Sequence, residues 1–122
     1  PGDTFVMEQG YFRYLARNDD MIVSAGYNIA GPEVESALMQ HPAVSECGVI
    51  GVPDAERGQI VTAIVVLKPE HRGDGQMTTA LQQYVKDTVA PYKYPRHIIY
   101  AESLPRTETG KLQRFKLRHM LN

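Results

Sequence analysis

Gln59-Ile60-Val61-Thr62-Ala63-Ile64-Val65-Val66-Leu67 is a continuous run, rich in β-branched residues and polar only at Gln59 and Thr62, with no glycine, proline or charge inside it. A strand wetted on one face alternates apolar and polar residues; a strand covered on both faces does not. The run therefore predicts a central strand. Val44–Val52 reads as a second long strand just upstream. Before it, Gly31-Pro32-Glu33 opens a helix, with proline in the first turn and an acid near the positive end of the dipole. Val34, Ala37 and Leu38 face inward at helical spacing, and His41-Pro42 ends the helix.

Downstream, Pro69–Gln76 reads as a polar loop carrying two glycines. Thr78 or Thr79 is expected to cap a helix running to about Val89, with Leu81, Val85 and Val89 on one face. Ala90-Pro91-Tyr92-Lys93-Tyr94-Pro95-Arg96 makes a rigid, basic, aromatic turn. His97–Ala101 reads as a third strand and Phe115–Leu121 as a short terminal helix. At the other end, Thr4–Met7 and Tyr11–Leu15 flank Glu8-Gln9-Gly10 as a hairpin. Met21-Ile22-Val23 is a short strand, and Ser24-Ala25-Gly26 a flexible connector. The sum is an α+β fold: an N-terminal β-hairpin, then a mainly three-stranded sheet packed by helices.

A chain of 122 residues is one domain of ordinary size and buries roughly two-thirds of its unfolded surface. Its net charge of −1 gives no bulk attraction for nucleic acid or an anionic membrane. One cysteine, Cys47, rules out an internal disulfide and fits a reducing, cytoplasmic setting. It reads as a small buried hydrophobe. His41, His71, His97 and His119 lack ligand spacing, so no metal site is expected. No apolar run approaches the ~20 residues of a membrane span. The sequence opens at Pro1 without methionine, and Gly2-Asp3 reads as the interior of a longer chain; a fragment is expected.

The chemistry concentrates in Pro105-Arg106-Thr107-Glu108-Thr109-Gly110-Lys111. Pro105 fixes its own φ, and Gly110 reaches positive φ at little steric cost. The expected product is a tightly shaped, exposed loop that presents Lys111, a point charge suited to phosphate or carboxylate oxygens. Nothing else in the chain completes an active site, so the substrate would sit on another domain.

Taken in order, Gly2-Asp3, Gly10-Tyr11-Phe12, Arg17-Asn18-Asp19-Asp20, Ser24-Ala25-Gly26-Tyr27-Asn28-Ile29, Glu33-Val34-Glu35 and Pro105 to Lys111 resemble the C-terminal domain of the adenylate-forming enzymes. These include acyl- and aryl-CoA synthetases, peptide-synthetase adenylation domains and luciferases. SAGYNIAGPEVE, PDAERGQIV, APYKYPR and PRTETGKLQRFKLR look most like aryl-CoA ligases of the benzoate and 2-aminobenzoate type, with medium-chain acyl-CoA synthetases close behind.

The resemblance implies a two-step ligase. A carboxylate and ATP give acyl-AMP and pyrophosphate; CoA then displaces AMP. It assigns residues 1–18 to the tail of a large N-terminal domain and the hinge approach. Residues 19–122 become a mobile C-terminal domain, inactive alone, that turns between two poses. Lys111 would bridge the carboxylate and α-phosphate, stabilising charge on the transferring oxygens; Gly110 would shape its loop. Acetylation of Lys111 by a lysine acetyltransferase would delete that charge. Asp3 and Arg17 would hold the ATP ribose, although Pro1 stands where the family usually has threonine and Ala16 where it has glycine. Asp19 would be the hinge.

By the same resemblance, Ser24, Ala25, Gly26 and Tyr27 would line the pantetheine tunnel in the thioester pose, and Arg57 would meet a CoA phosphate. Asn28 replaces an arginine common in medium-chain relatives. Lys93 and Arg96 would add positive charge for the CoA 3′-phosphate. ATP, Mg²⁺ and CoA are the implied cofactors, with Mg²⁺ held by the N-terminal domain; an aromatic or medium-chain carboxylate is the implied substrate. Two alternatives stay open: an adenylation domain that loads a carrier protein, and a stand-alone, non-catalytic binding module.

Overall fold

The structure, a computed structural model, describes residues 21–120. The hairpin expected over Thr4–Leu15, and the assignments of Asp3, Arg17 and Asp19, lie outside the described residues. The order is β1 (Met21–Ser24), β2 (Tyr27–Ala30), α1 (Gly31–Met39), β3 (Val44–Asp54), β4 (Gly58–Leu67), α2 (Gly75–Thr88), β5 (His97–Tyr100) and α3 (Arg114–Met120). This is an α+β domain built on one five-stranded, mostly antiparallel sheet.

Strand β4 is its centre. Along one edge it pairs with β3 from Val44↔Leu67 to Asp54↔Gly58. The other edge is shared: β1 meets it at Ser24↔Gly58, and β5 runs parallel to it from Thr62↔His97 to Val65↔Tyr100. Val61, Ala63 and Val65 join Val34 and Leu38 of α1 and Leu81 and Val85 of α2 in one core. Ile64 and Val66 join Leu104 and Leu117 in a second core on the opposite face. Both faces of β4 are thus covered, which is why its sequence does not alternate. Each fully buried aliphatic side chain contributes about 1.5–3 kcal/mol of transfer free energy.

Two expectations need correction. The sheet has more than three strands because Ser24-Ala25-Gly26 is not a connector into the helix. It is the turn of a β1–β2 hairpin, paired from Met21↔Ala30 to Ser24↔Tyr27. Helix α2 begins before Thr78: its N-cap is Asp74, whose carboxylate accepts from Met77 N–H at 2.9 Å. An aspartate acceptor at the cap satisfies a backbone donor that nothing else reaches. Thr78 instead shares a 2.8 Å hydrogen bond with the Tyr100 hydroxyl.

Candidate functional site

The lysine loop is a small hairpin. Arg106 and Leu112 bridge at its base, and Thr107 N–H donates to Lys111 C=O at 2.8 Å. Gly110 N–H donates to Thr107 C=O at 2.9 Å, and Gly110 has φ +87°. A turn followed by a left-handed residue is the common three-residue hairpin connection, and the left-handed position selects glycine. The Thr107 hydroxyl accepts from Lys111 N–H at 3.0 Å and lies 3.0 Å from the Thr109 hydroxyl. Arg106 uses two donors: Nη1 to Gly110 C=O at 2.9 Å and Nε to Glu46 Oε1 at 2.8 Å.

Behind the loop, Arg114 grips Glu35 through Nε at 3.0 Å and Nη2 at 2.5 Å, while Glu35 also accepts from Val49 N–H at 2.8 Å. The loop is therefore tied to β3 on one flank and to α1 on the other. Lys111 itself is exposed, and its ammonium has no hydrogen-bond or ion-pair partner among the described residues.

The second group of site residues sits at the other end of the sheet. In the β1–β2 turn, Ala25 has φ +51° and Gly26 +87°. Two successive left-handed residues suit a tight hairpin whose twist matches its strands, and Ala25 holds this conformation at a cost of about 1 kcal/mol. Ser24 is buried, its hydroxyl accepting from Arg57 Nε at 3.2 Å; Ala25 N–H donates to Arg57 C=O at 2.9 Å. Arg57 belongs to the β3–β4 turn, where Asp54 Oδ2 accepts from Glu56 and Arg57 N–H and Gly58 has φ +81°.

Tyr27 points outward, half exposed, and stacks on Tyr92 with ring centroids 4.3 Å apart. This contact brings the basic aromatic turn beside the hairpin. Lys93 lies 5.7 Å from the Tyr92 ring centroid and pairs with Glu33 at 2.6 Å. Arg96 stands over Tyr94 at 5.0 Å. Ser24, Ala25, Gly26, Tyr27 and Arg57 thus form one cluster, with Lys93 joined to it through Tyr92. Arg96 makes its ring contact separately.

Ser24 pairs with Gly58 at the start of β4, and Glu46, the anchor of Arg106, pairs with Val66 near its end. The intervening run of β4, at about 3.3 Å per residue, sets the two sites roughly 26 Å apart.

Sequence reading gave no site role to four side chains that shape these sites. Glu46 and Glu35 are the partners of Arg106 and Arg114, and Tyr92 carries the hairpin stack. Lys86 stands over Tyr94 at 4.3 Å; its place as the last-turn cation of α2 was the available signal. Cys47 is buried, with its thiol directed at Glu35 C=O. Burial first, and the Glu35 charge second, push its pKa up to about 12. Among the described residues, no group of three or more His, Cys, Asp or Glu gathers to hold a metal ion, and no helix is long and apolar enough to cross a membrane.

A small α+β domain that holds out a lysine, unpaired among the described residues, on a stiffened hairpin is the class these observations define. The chain belongs to the AMP-binding enzyme C-terminal domain family, which residues 33–111 match. Human acyl-coenzyme A synthetase ACSM1, mitochondrial, is 51% identical over 114 residues, covering 91% of this chain and 20% of that protein. The chain thus spans about a fifth of the length of the curated relatives it matches. Among solved structures, an acyl-CoA synthetase from Brucella canis superposes with a TM-score of 0.82 at 46% identity, over 86% of this chain and 19% of that one. The anthranilate CoA ligase AuaEII, in complex with anthranoyl-AMP, superposes with a TM-score of 0.81 at 41% identity, over 98% of this chain and 23% of that one.

Proposed function

We propose that this chain is the mobile C-terminal domain of an ATP-dependent, AMP-forming acyl-CoA ligase acting on an aromatic or medium-chain acid. Lys111 is its adenylation cation. The observation that carries the reading is the ammonium of Lys111, without a partner among the described residues, on a loop whose Thr107, Gly110 and Lys111 backbone groups are hydrogen-bonded. A pre-positioned cation gains most where charge builds on transferring oxygens, because no reorganisation is needed at that moment. Its exposure also fits control by acetylation.

Ala25, Gly26 and Tyr27 suit the passage of a narrow thiol chain: they are small or flat, outward-facing, and held from behind by Arg57. ATP, Mg²⁺ and CoA would bind mainly to the remaining domain, so the chain alone is expected to be inactive. The aryl assignment draws support from the likeness to an anthranilate ligase.

The test uses the full-length enzyme with benzoate, 2-aminobenzoate and a medium-chain fatty acid, following ATP-dependent pyrophosphate release with and without CoA. Turnover that requires CoA and one of these acids is the expected result. Pyrophosphate exchange without any CoA thioester would favour carrier-protein loading instead. Inactivity with every acid would overturn the ligase reading.

A further inference from the structure

We infer that Arg106 is a positioning residue for Lys111, acting as a strut between β3 and the residue that precedes the lysine. The inference rests on the reading of Lys111 as the adenylation cation. The turn hydrogen bonds of residues 107–111 fix the shape of the loop but not its direction relative to the sheet. Direction needs a link from the loop tip to the body of the domain. Arg106 supplies it, since Nη1 holds Gly110 C=O at 2.9 Å while Nε holds Glu46 Oε1 at 2.8 Å. One planar guanidinium thus joins the peptide unit of Lys111 to a strand.

Glu46 lies at the shift in register between Val44 and Glu46, an irregularity in an otherwise continuous β3–β4 pairing. Such irregularities re-aim side chains. Arg106 and Glu46 are both about one-third exposed, so as an ion pair they contribute little to overall stability. Their value is geometric: a misplacement of about 1 Å at a reacting group costs on the order of a hundredfold in rate. Lysine cannot fully replace this arginine, because an ammonium is a point charge without the two-donor fork.

The experiment measures both half-reactions of the full-length enzyme. Arg106→Ala should lower kcat for acyl-AMP formation by about 10- to 100-fold while KM for ATP and acid moves less than about threefold. Thioester formation from supplied acyl-AMP should hold. Arg106→Lys, which keeps the charge but not the fork, should recover only part of the loss. A rise in KM for ATP with kcat intact would make Arg106 a substrate contact and overturn the strut. So would equal loss in both halves, or wild-type adenylation.

Lys111→Ala run alongside separates the two readings: if it adenylates normally, the role of Lys111 fails. The strut is then judged on amide hydrogen exchange in the 122-residue chain. Arg106→Ala should speed exchange at Gly110 and Lys111 by about fivefold or more without touching the β3–β4 ladder. Unchanged exchange at those two amides would overturn it.

Discussion

The lysine loop and the β1–β2 turn both depend on a glycine at φ +87°, yet they are stiffened by different forces. The lysine loop is braced by charge: Arg106 on Glu46 and Arg114 on Glu35. The β1–β2 turn is braced by a strand ladder, a buried serine and a ring stack on Tyr92. The cations follow the same division. Lys111 has no partner among the described residues, whereas Lys93 is already matched by Glu33 and Arg96 stands against a ring. One end offers unspent charge, and the other offers a shaped surface with its charge largely committed. Under the proposed ligase reading, the first suits charge that builds on the reacting oxygens in adenylyl transfer, and the second suits the passage of a slender thiol.

The largest effect expected is at Lys111. Lys111→Ala in the full-length enzyme should cut acyl-AMP formation by about a thousandfold and leave thioester formation from supplied acyl-AMP intact. Loss of both halves together would erase the division between the two ends. Next, Gly26→Trp should reduce the thioester half by about a hundredfold with adenylation near normal. Among the described residues, leaving out its chain neighbours, no heavy atom lies within 4 Å of a Cβ at Gly26, so bulk there has room to project. Gly26→Ala carries the same backbone strain without the bulk. If alanine proved as harmful as tryptophan, the effect would be strain rather than obstruction.

A smaller effect sharpens the lysine end alone. A Cβ on Gly48 would meet Leu117 Cδ1 at 2.6 Å and Leu112 Cδ2 at 3.1 Å. Gly48→Ala should therefore cost about 1–3 kcal/mol in denaturant unfolding. It should disturb adenylation before it disturbs the thioester half, since Leu112 closes the base of the lysine loop. Equal disturbance of both halves would mean that the two ends are not mechanically separate.

The smallest effect concerns Cys47. Its folded pKa lies near 12, against an ordinary value of 9.0. The folded chain therefore keeps the proton longer than the unfolded chain. Stability from this group is full below pH 9 and is lost between pH 9 and about 12. Alkylation by iodoacetamide at pH 8 should be slow in the folded chain and rapid in denaturant. Fast labelling of the native chain would show that the β3–α1 packing opens more readily than its burial implies.

What sequence alone revealed follows the range of the interactions involved. Strand β4 was legible because cover on both faces writes itself into consecutive residues. The lysine loop was legible because proline and glycine act on their own backbone. The β2 strand was not, since Ala25-Gly26 lacks the asparagine or aspartate that announces such turns and places alanine at positive φ. The start of α2 was hidden by glycines on either side of Asp74, which read as loop. The pairings of Glu46 with Arg106, Glu35 with Arg114 and Glu33 with Lys93 join residues far apart in the chain, and no local pattern records them. The resemblance located the candidate residues; only the fold shows which of them are already engaged.

Strand β4 runs buried between two cores, pinned by β3 along its length and by β5 beside its middle. Such a strand behaves as a stiff rod, and the two sites are its tips. Under the two-pose reading, bringing one tip to a fixed centre withdraws the other in the same stroke. On that reading the half-reactions would exclude each other in time with no separate regulator: the strand would serve as an interlock set by its length.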